Sequence, residues 1–152
     1  MVCSQLIRYT LFYLGRAMSN INHNNQLLVE AARKGDAQTI KMLIPLADPR
    51  WESSLALMRA AEYGCRECVL LLLPHSCPRD HASRALMMAV ARGWDLCVDE
   101  LFEHSDYQKV LEILRNDNLP RSPTYDAFEA RVLREKLLEY VGTAAAAKRR
   151  LM

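Results

Sequence analysis

The chain has 152 residues, a formal net charge of +2, 51% hydrophobic and 25% charged residues, proportions of one folded domain that exclude a disordered or fibrous chain. No run reaches the ~18 consecutive apolar residues of a membrane span. Arg8 and Arg16 are the only charges before Glu30, Lys148, Arg149 and Arg150 close the chain, and without these five the 18 acidic residues outnumber the basic ones, which excludes a basic nucleic-acid groove through the body.

The first segment, Cys3–Ala17, has helical spacing at Leu6, Ile7, Thr10, Leu11 and Leu14. It is expected either to cover the open face of the unit that follows or, if Met18 is the true start, to add little. A presequence is a third option, because the stretch lacks acids. Arg8 interrupts its apolar patch and no small-residue cleavage site follows, which disfavours a secretory signal. Five cysteines, an odd count, are accordingly read as reduced thiols of a cytoplasmic protein. Ser19–Asn25 is polar and reads as a loop, so residues 1–24 form an extension before the repeats.

Residues 25–104 repeat at a fixed spacing. Gln26-Leu-Leu-Val-Glu-Ala-Ala-Arg-Lys-Gly35, Leu55-Ala-Leu-Met-Arg-Ala-Ala-Glu-Tyr-Gly64 and Arg84-Ala-Leu-Met-Met-Ala-Val-Ala-Arg-Gly93 align without gaps, 29 residues apart. A second apolar run follows each glycine: Thr39–Ile44, Cys68–Leu73 and Cys97–Phe102. Each unit (25–52, 53–81 and 82–104) is predicted to be a helix, a glycine turn and a second helix. Ala31/Ala32, Ala60/Ala61 and Ala89 let neighbouring helices approach closely. The glycines sit where a left-handed backbone penalises any side chain. Asp36 and Asp95 are expected to cap the second helices, with Cys65 a poor substitute. No unit closes its own core, so the three must stack.

After the repeats, Asp106–Arg115 is predicted to be a helix with Val110, Leu111 and Leu114 inward. It ends at the Asn116–Pro123 turn cluster. Tyr125–Val141 is predicted to be another, with Thr124 as N-cap and a wide stripe of Phe128, Val132, Leu133, Leu137 and Val141. The pair, 105–142, is expected to cap the stack, and 143–152 to be a flexible basic tail.

The recurring Leu-x-x-Ala-Ala-x-x-Gly, with its Cys–Val pair and leucine run, resembles the ankyrin repeat. The variant Ala-Leu-Met-x-Ala-Ala with Glu67-Cys68-Val69-x-Leu-Leu is similar to repeats associated with diplomonads, which occur alone or behind NIMA-related kinase domains. The resemblance implies an all-α, ankyrin-like helical solenoid of three 29-residue repeats with flanking capping helices. It implies a non-catalytic, monomeric scaffold with no cofactor, binding another protein on its concave face; the alternative is a relative of an ankyrin-tailed kinase whose catalytic domain is absent. The usual Thr-Pro-Leu-His opening is missing and the period is shorter than usual, so short loops are expected in place of long fingers. The family's variable contact positions fall on Asn25, Arg33 and Lys34, on Ser54, Glu62 and Tyr63, and on Ser83, Ala91 and Arg92. Trp94 is either an exposed anchor beside them or packed under the third unit.

Two constellations invite a chemical reading. Cys65-x-x-Cys68 with His75, Cys77 and His81 has zinc-like spacing, but Cys68 aligns with Thr39 and Cys97 and belongs in the core, so no metal is expected. His104-Ser-Asp106 lists triad residue types, yet three neighbours on a helix end cannot converge.

Overall fold

The computed structural model describes residues 20–117 and 121–150. The first unit is α1 (residues 20–34) and α2 (Ala37–Leu43), the second α3 (Trp51–Glu62) and α4 (Arg66–Leu72), the third α5 (Asp80–Arg92) and α6 (Asp95–Phe102). Then come α7 (Tyr107–Asn116) and α8 (Pro123–Arg150), and among the described residues there is no strand. Residues 20–25, expected as a loop, belong to α1 instead. The Cys3–Ala17 segment lies outside the described residues.

Two rows of helices carry the core. α3, α5 and α7 pack in succession in one row, and α2, α4 and α6 in the other. The face between the rows is apolar: Leu28, Ile40, Leu57, Val69, Leu72, Leu86, Val90, Leu101 and Phe102 are all buried. Ala31, Ala32, Ala60, Ala61 and Ala89 are buried with them, as their small size predicts. α7 adds Val110, Leu111 and Leu114 to the same core, and α8 adds Phe128 and Val132.

The turns follow the glycines. Gly35, Gly64 and Gly93 all have positive φ, from 74° to 81°, and the residue after each becomes the N-cap of the next helix. Asp36 caps α2 by accepting the Thr39 N–H at 3.0 Å. Cys65 caps α4 after all, its Sγ accepting the Cys68 N–H at 3.4 Å. Asp95 does not cap α6. The cap position falls on Trp94, which offers no side-chain acceptor, and Asp95 lies in the first turn, where an acid still suits the helix dipole.

A polar device ties each unit to the loop leading into the next. Asn25, Ser54 and Ser83 occupy one register, 29 residues apart, and all three are buried. Asn25 Oδ1 accepts the backbone N–H of Asp48 at 2.7 Å. Ser54 Oγ accepts that of Cys77 at 2.9 Å, and Ser83 Oγ that of Asp106 at 2.7 Å. The backbone is left-handed at Ser54 (φ 64°) and Ser83 (φ 62°). In α3 that conformation runs from Glu52 to Ser54, so its right-handed helix begins at Leu55. A left-handed residue with a side chain costs about 1–2 kcal/mol, and such strain persists only where surrounding contacts fix it. These three residues were expected on the binding face. They point inward as latches, and burial removes them from any contact set.

The C-terminal helix also departs from expectation. α8 starts at Pro123, with Ser122 Oγ accepting the Tyr125 N–H at 3.1 Å, and Thr124 is buried in its first turn rather than capping it. The tail expected to be flexible is helical through Arg150. Only the first half of the stripe packs: Phe128 and Val132 are buried, while Leu133, Leu137 and Val141 are exposed.

Two changes test the stacking. Ala60→Leu puts a larger side chain into a fully buried contact and should cost ~1–3 kcal/mol, read as a lower denaturant midpoint. Ser83→Ala leaves the Asp106 N–H without its partner and should cost about 1–2 kcal/mol in the same measurement. An unchanged midpoint for Ser83→Ala would mean that the latch does not hold the loop.

Candidate functional site

The remaining expected contact residues lie at the C-terminal ends of α1, α3 and α5, beside the glycine turns. Arg33 and Lys34 end α1, Glu62 ends α3 with Tyr63 just beyond it, and Ala91 and Arg92 end α5. Because the first helices stack, these ends form one continuous edge. Arg33, Lys34, Tyr63, Ala91, Arg92 and Trp94 are all exposed on it.

The cations of this edge are paired. Arg33 Nε lies 3.1 Å from Glu30 Oε2, and Lys34 Nζ 3.4 Å from Glu30 Oε1. The two cations, Arg33 foremost, hold the Glu30 carboxyl below its ordinary range. Arg33 is raised in turn, chiefly by Glu30, with Tyr63 of the next unit adding to the effect. The edge is therefore an alternation of ion pairs and aromatic rings.

Glu62 is the hub. Its Oε2 accepts from Arg59 Nη1 at 2.7 Å on its own helix, and its Oε1 from Arg92 Nη2 at 2.9 Å on the next unit. Its backbone carbonyl accepts the Trp94 Nε1–H at 2.9 Å. The Glu62 side chain is only 14% exposed. Its carboxyl is held below the ordinary range by Arg59 first and Arg92 second, against the opposing effect of burial. Sequence reading placed Glu62 among the contact positions; it missed Arg59. The usable signal was the spacing, since Arg59 and Glu62 lie one helical turn apart and Arg92 stands thirty residues on, at the adjoining turn.

Trp94 is at once packed and presented. Its ring lies on the Gly64 turn of the preceding unit, where a Cβ would stand 2.4 Å from the indole Cδ2. Gly64 is thus required twice, by its φ of +74° and by the ring above it. The indole nevertheless remains 43% exposed, and Tyr63 beside it 50%.

The opposite face, formed by the second helices, is also charged but differently arranged. Lys41 of α2 meets Glu67 of α4 at 3.6 Å, Arg66 of α4 meets Glu100 of α6, and Arg131 of α8 reaches Asp99 at 2.9 Å and Glu103 at 3.2 Å. Each junction thus has its own ion pair.

Among the described residues no three or more His, Cys, Asp or Glu side chains come together as metal ligands. Cys68 is buried, as its alignment in the repeat predicts. Asp106 caps α7 through the Lys109 N–H, while the buried Ser105 hydroxyl has no hydrogen-bond partner among the described residues; Ser105 and Asp106 form no relay.

A family model described as ankyrin repeats, in three copies, matches residues 3–81 and 28–113, more than half of the chain. The chain belongs to the ankyrin-repeat family. No curated protein and no solved structure matches it. In this ankyrin-repeat protein the ends of the first helices and the adjoining turns form the edge just described, and ankyrin repeats are in general protein–protein interaction modules.

The hub has a pH signature. A carboxylate held below its usual 4.5 stabilises the fold fully above that value, and the contribution is lost as the pH falls through its depressed folded value. Glu62→Gln should lower the urea midpoint near neutrality. The gap between variant and parent should narrow as the pH falls below 4.5 and through the depressed folded value. A gap that persists there would assign the effect to packing rather than charge.

Proposed function

We propose that this chain is a non-catalytic protein-binding unit whose partner lies along the turn edge, across Arg33, Lys34, Glu62, Tyr63, Ala91, Arg92 and Trp94. The observation that carries this reading is the pair of half-exposed aromatic side chains on successive turns. Tyr63 is 50% and Trp94 43% exposed, with cations on both sides. Tyrosine and tryptophan are enriched among the residues that dominate interfaces. Trp94 is held by the Glu62 carbonyl and the Gly64 turn, so little side-chain freedom remains to be lost on binding.

The chemistry of the edge favours an acidic or phosphorylated peptide with one apolar anchor. Arg33, Lys34, Arg59 and Arg92 lie along this edge among the carboxylates Glu30 and Glu62, with Asp36 acting on Lys34 from the adjoining turn. Exposed ion pairs contribute little, so Arg33 and Lys34 can exchange Glu30 for a ligand anion at small cost. Arginine suits planar anions because its guanidinium presents two parallel donors. The apolar anchor would lie between the Tyr63 and Trp94 rings.

The test begins with affinity purification and mass spectrometry from the native cell. Against the partner recovered, Tyr63→Ala should weaken binding by ~2 kcal/mol, roughly thirty-fold. Joint Arg33→Glu and Arg92→Glu substitution should weaken it further and flatten its salt dependence, with circular dichroism checking the fold. Arg66→Glu, on the second-helix face, should leave affinity unchanged. Parent-like binding by the edge variants, with loss in Arg66→Glu, would move the partner to the opposite face.

A further inference from the structure

The first and second units differ in the pair of side chains that closes the turn into the second helix. In the first, Asp36 Oδ1 accepts the Thr39 N–H, and Thr39 Oγ1 donates to Asp36 Oδ2 at 2.5 Å. In the second, the same two positions are Cys65 and Cys68. The backbone that brings an acid and a hydroxyl together at α2 brings two thiols together at α4, with their Sγ atoms 2.6 Å apart. The third unit has Trp94 and Cys97 there, so only the middle turn carries two sulfurs.

A disulfide spans 2.03–2.05 Å between sulfurs, so bonding requires an approach of about 0.6 Å and no change of fold. The two thiols differ in access. Cys65 is partly exposed beside the Gly35 carbonyl, and Cys68 is buried. Burial, followed by the Cys65 side chain, pushes the Cys68 thiol up to about 12. Cys97 is buried as well. Of the pair, an oxidant in solution therefore meets Cys65 first; Cys77, also partly exposed, has no second sulfur of its own turn beside it.

We propose that Cys65 and Cys68 form a reversible dithiol–disulfide pair, oxidised by a small disulfide of the glutathione class. The Cys65 thiolate attacks one sulfur of oxidised glutathione, breaking its S–S bond. A Cys65–glutathione mixed disulfide forms and one glutathione thiolate leaves. Cys68 then gives its proton to solvent and its sulfur attacks Cys65 Sγ. The Cys65–glutathione bond breaks, the second glutathione leaves as thiolate, and the Cys65–Cys68 bond remains. The pair has lost two electrons and two protons, and one oxidised glutathione has become two thiols. Capping Cys65 assists the second step, because it removes the thiol contact that helps keep Cys68 protonated. This inference is independent of the partner-binding edge.

The test uses the full chain in glutathione redox buffers, followed by alkylation and mass spectrometry. Trypsin cleaves after Arg66 and Arg79, so Cys65 lies on one peptide and Cys68 shares the next with Cys77; the two peptides separate when reduced and remain joined when oxidised, and fragmentation of the joined pair tells Cys68 from Cys77. Oxidised parent should lose about 2 Da, two hydrogens, and yield that joined peptide, both changes reversing with excess reduced glutathione. Cys68→Ser should stop at glutathione on Cys65; if that variant does not fold, the joined peptide formed by Cys77→Ser decides instead. Glutathione retained on Cys65 of the parent without an internal bond would overturn the proposal. So would a disulfide that forms instead through Cys77 or Cys97.

Discussion

No single unit of this chain can close its own core, and the rest of the structure follows from that constraint. A pair of helices of seven to fifteen residues leaves one apolar wall uncovered on each side, and only a neighbouring pair supplies it. Close approach needs small side chains at the contact, which is the place of Ala31, Ala32, Ala60, Ala61 and Ala89. Apolar burial is non-directional, however, and would tolerate a slipped stack. Register needs a directional contact repeated at each junction. Asn25, Ser54 and Ser83 provide it, each accepting one backbone N–H from the loop that leads into the next unit. Two of the three do so from a left-handed backbone, so part of the free energy gained by stacking is spent on aiming the hydroxyl.

The same constraint shapes the turn edge. A tight turn needs a glycine, and a bare glycine leaves a hollow that the next unit must fill. Cys65 fills it over Gly35, Trp94 over Gly64, and Thr124 over Gly93. One structural role is thus performed by a thiol, an indole and a hydroxyl in turn. The role fixes the position of the side chain and leaves its chemistry open. The redox pair at the second turn and the half-exposed ring at the third are consequences of that freedom.

The repeat period, the glycine turns and the inward positions of the helices were legible in the sequence, because each rests on a short-range rule. Helical spacing names Val110, Leu111 and Leu114, and all three are buried. The latches were not legible. A serine preceding an apolar run reads as a surface residue, and its acceptor role depends on a loop 23 residues away. Asp95 was misread for a related reason, since the cap position is set by the glycine before it and falls on Trp94. The pairing of the edge cations needed the same non-local knowledge, as Arg92 finds Glu62 only once the units are stacked. At the C-terminus the error was one of extent. The alanine-rich segment after Thr143 favours helix by intrinsic propensity, and α8 continues to Arg150 although Leu137, Leu138 and Tyr140 lie exposed.

Charge is abundant on both faces, yet the two differ in kind. On the second-helix face each junction has its own ion pair, from Lys41–Glu67 through Arg66–Glu100 to Arg131–Asp99. Those pairs join neighbouring helices, and Arg131 also lies over the Phe102 ring at 3.9 Å, so a ligand competing for them would also loosen the stack. On the turn edge Arg33 and Lys34 pair with Glu30 of their own helix. Releasing them from Glu30 breaks no ion pair between units. Glu62 bridges two units there through Arg92, and its carbonyl also holds the Trp94 indole in place. The edge therefore combines a fixed aromatic platform with exchangeable cations, whereas the opposite face has its charges committed to holding the units together.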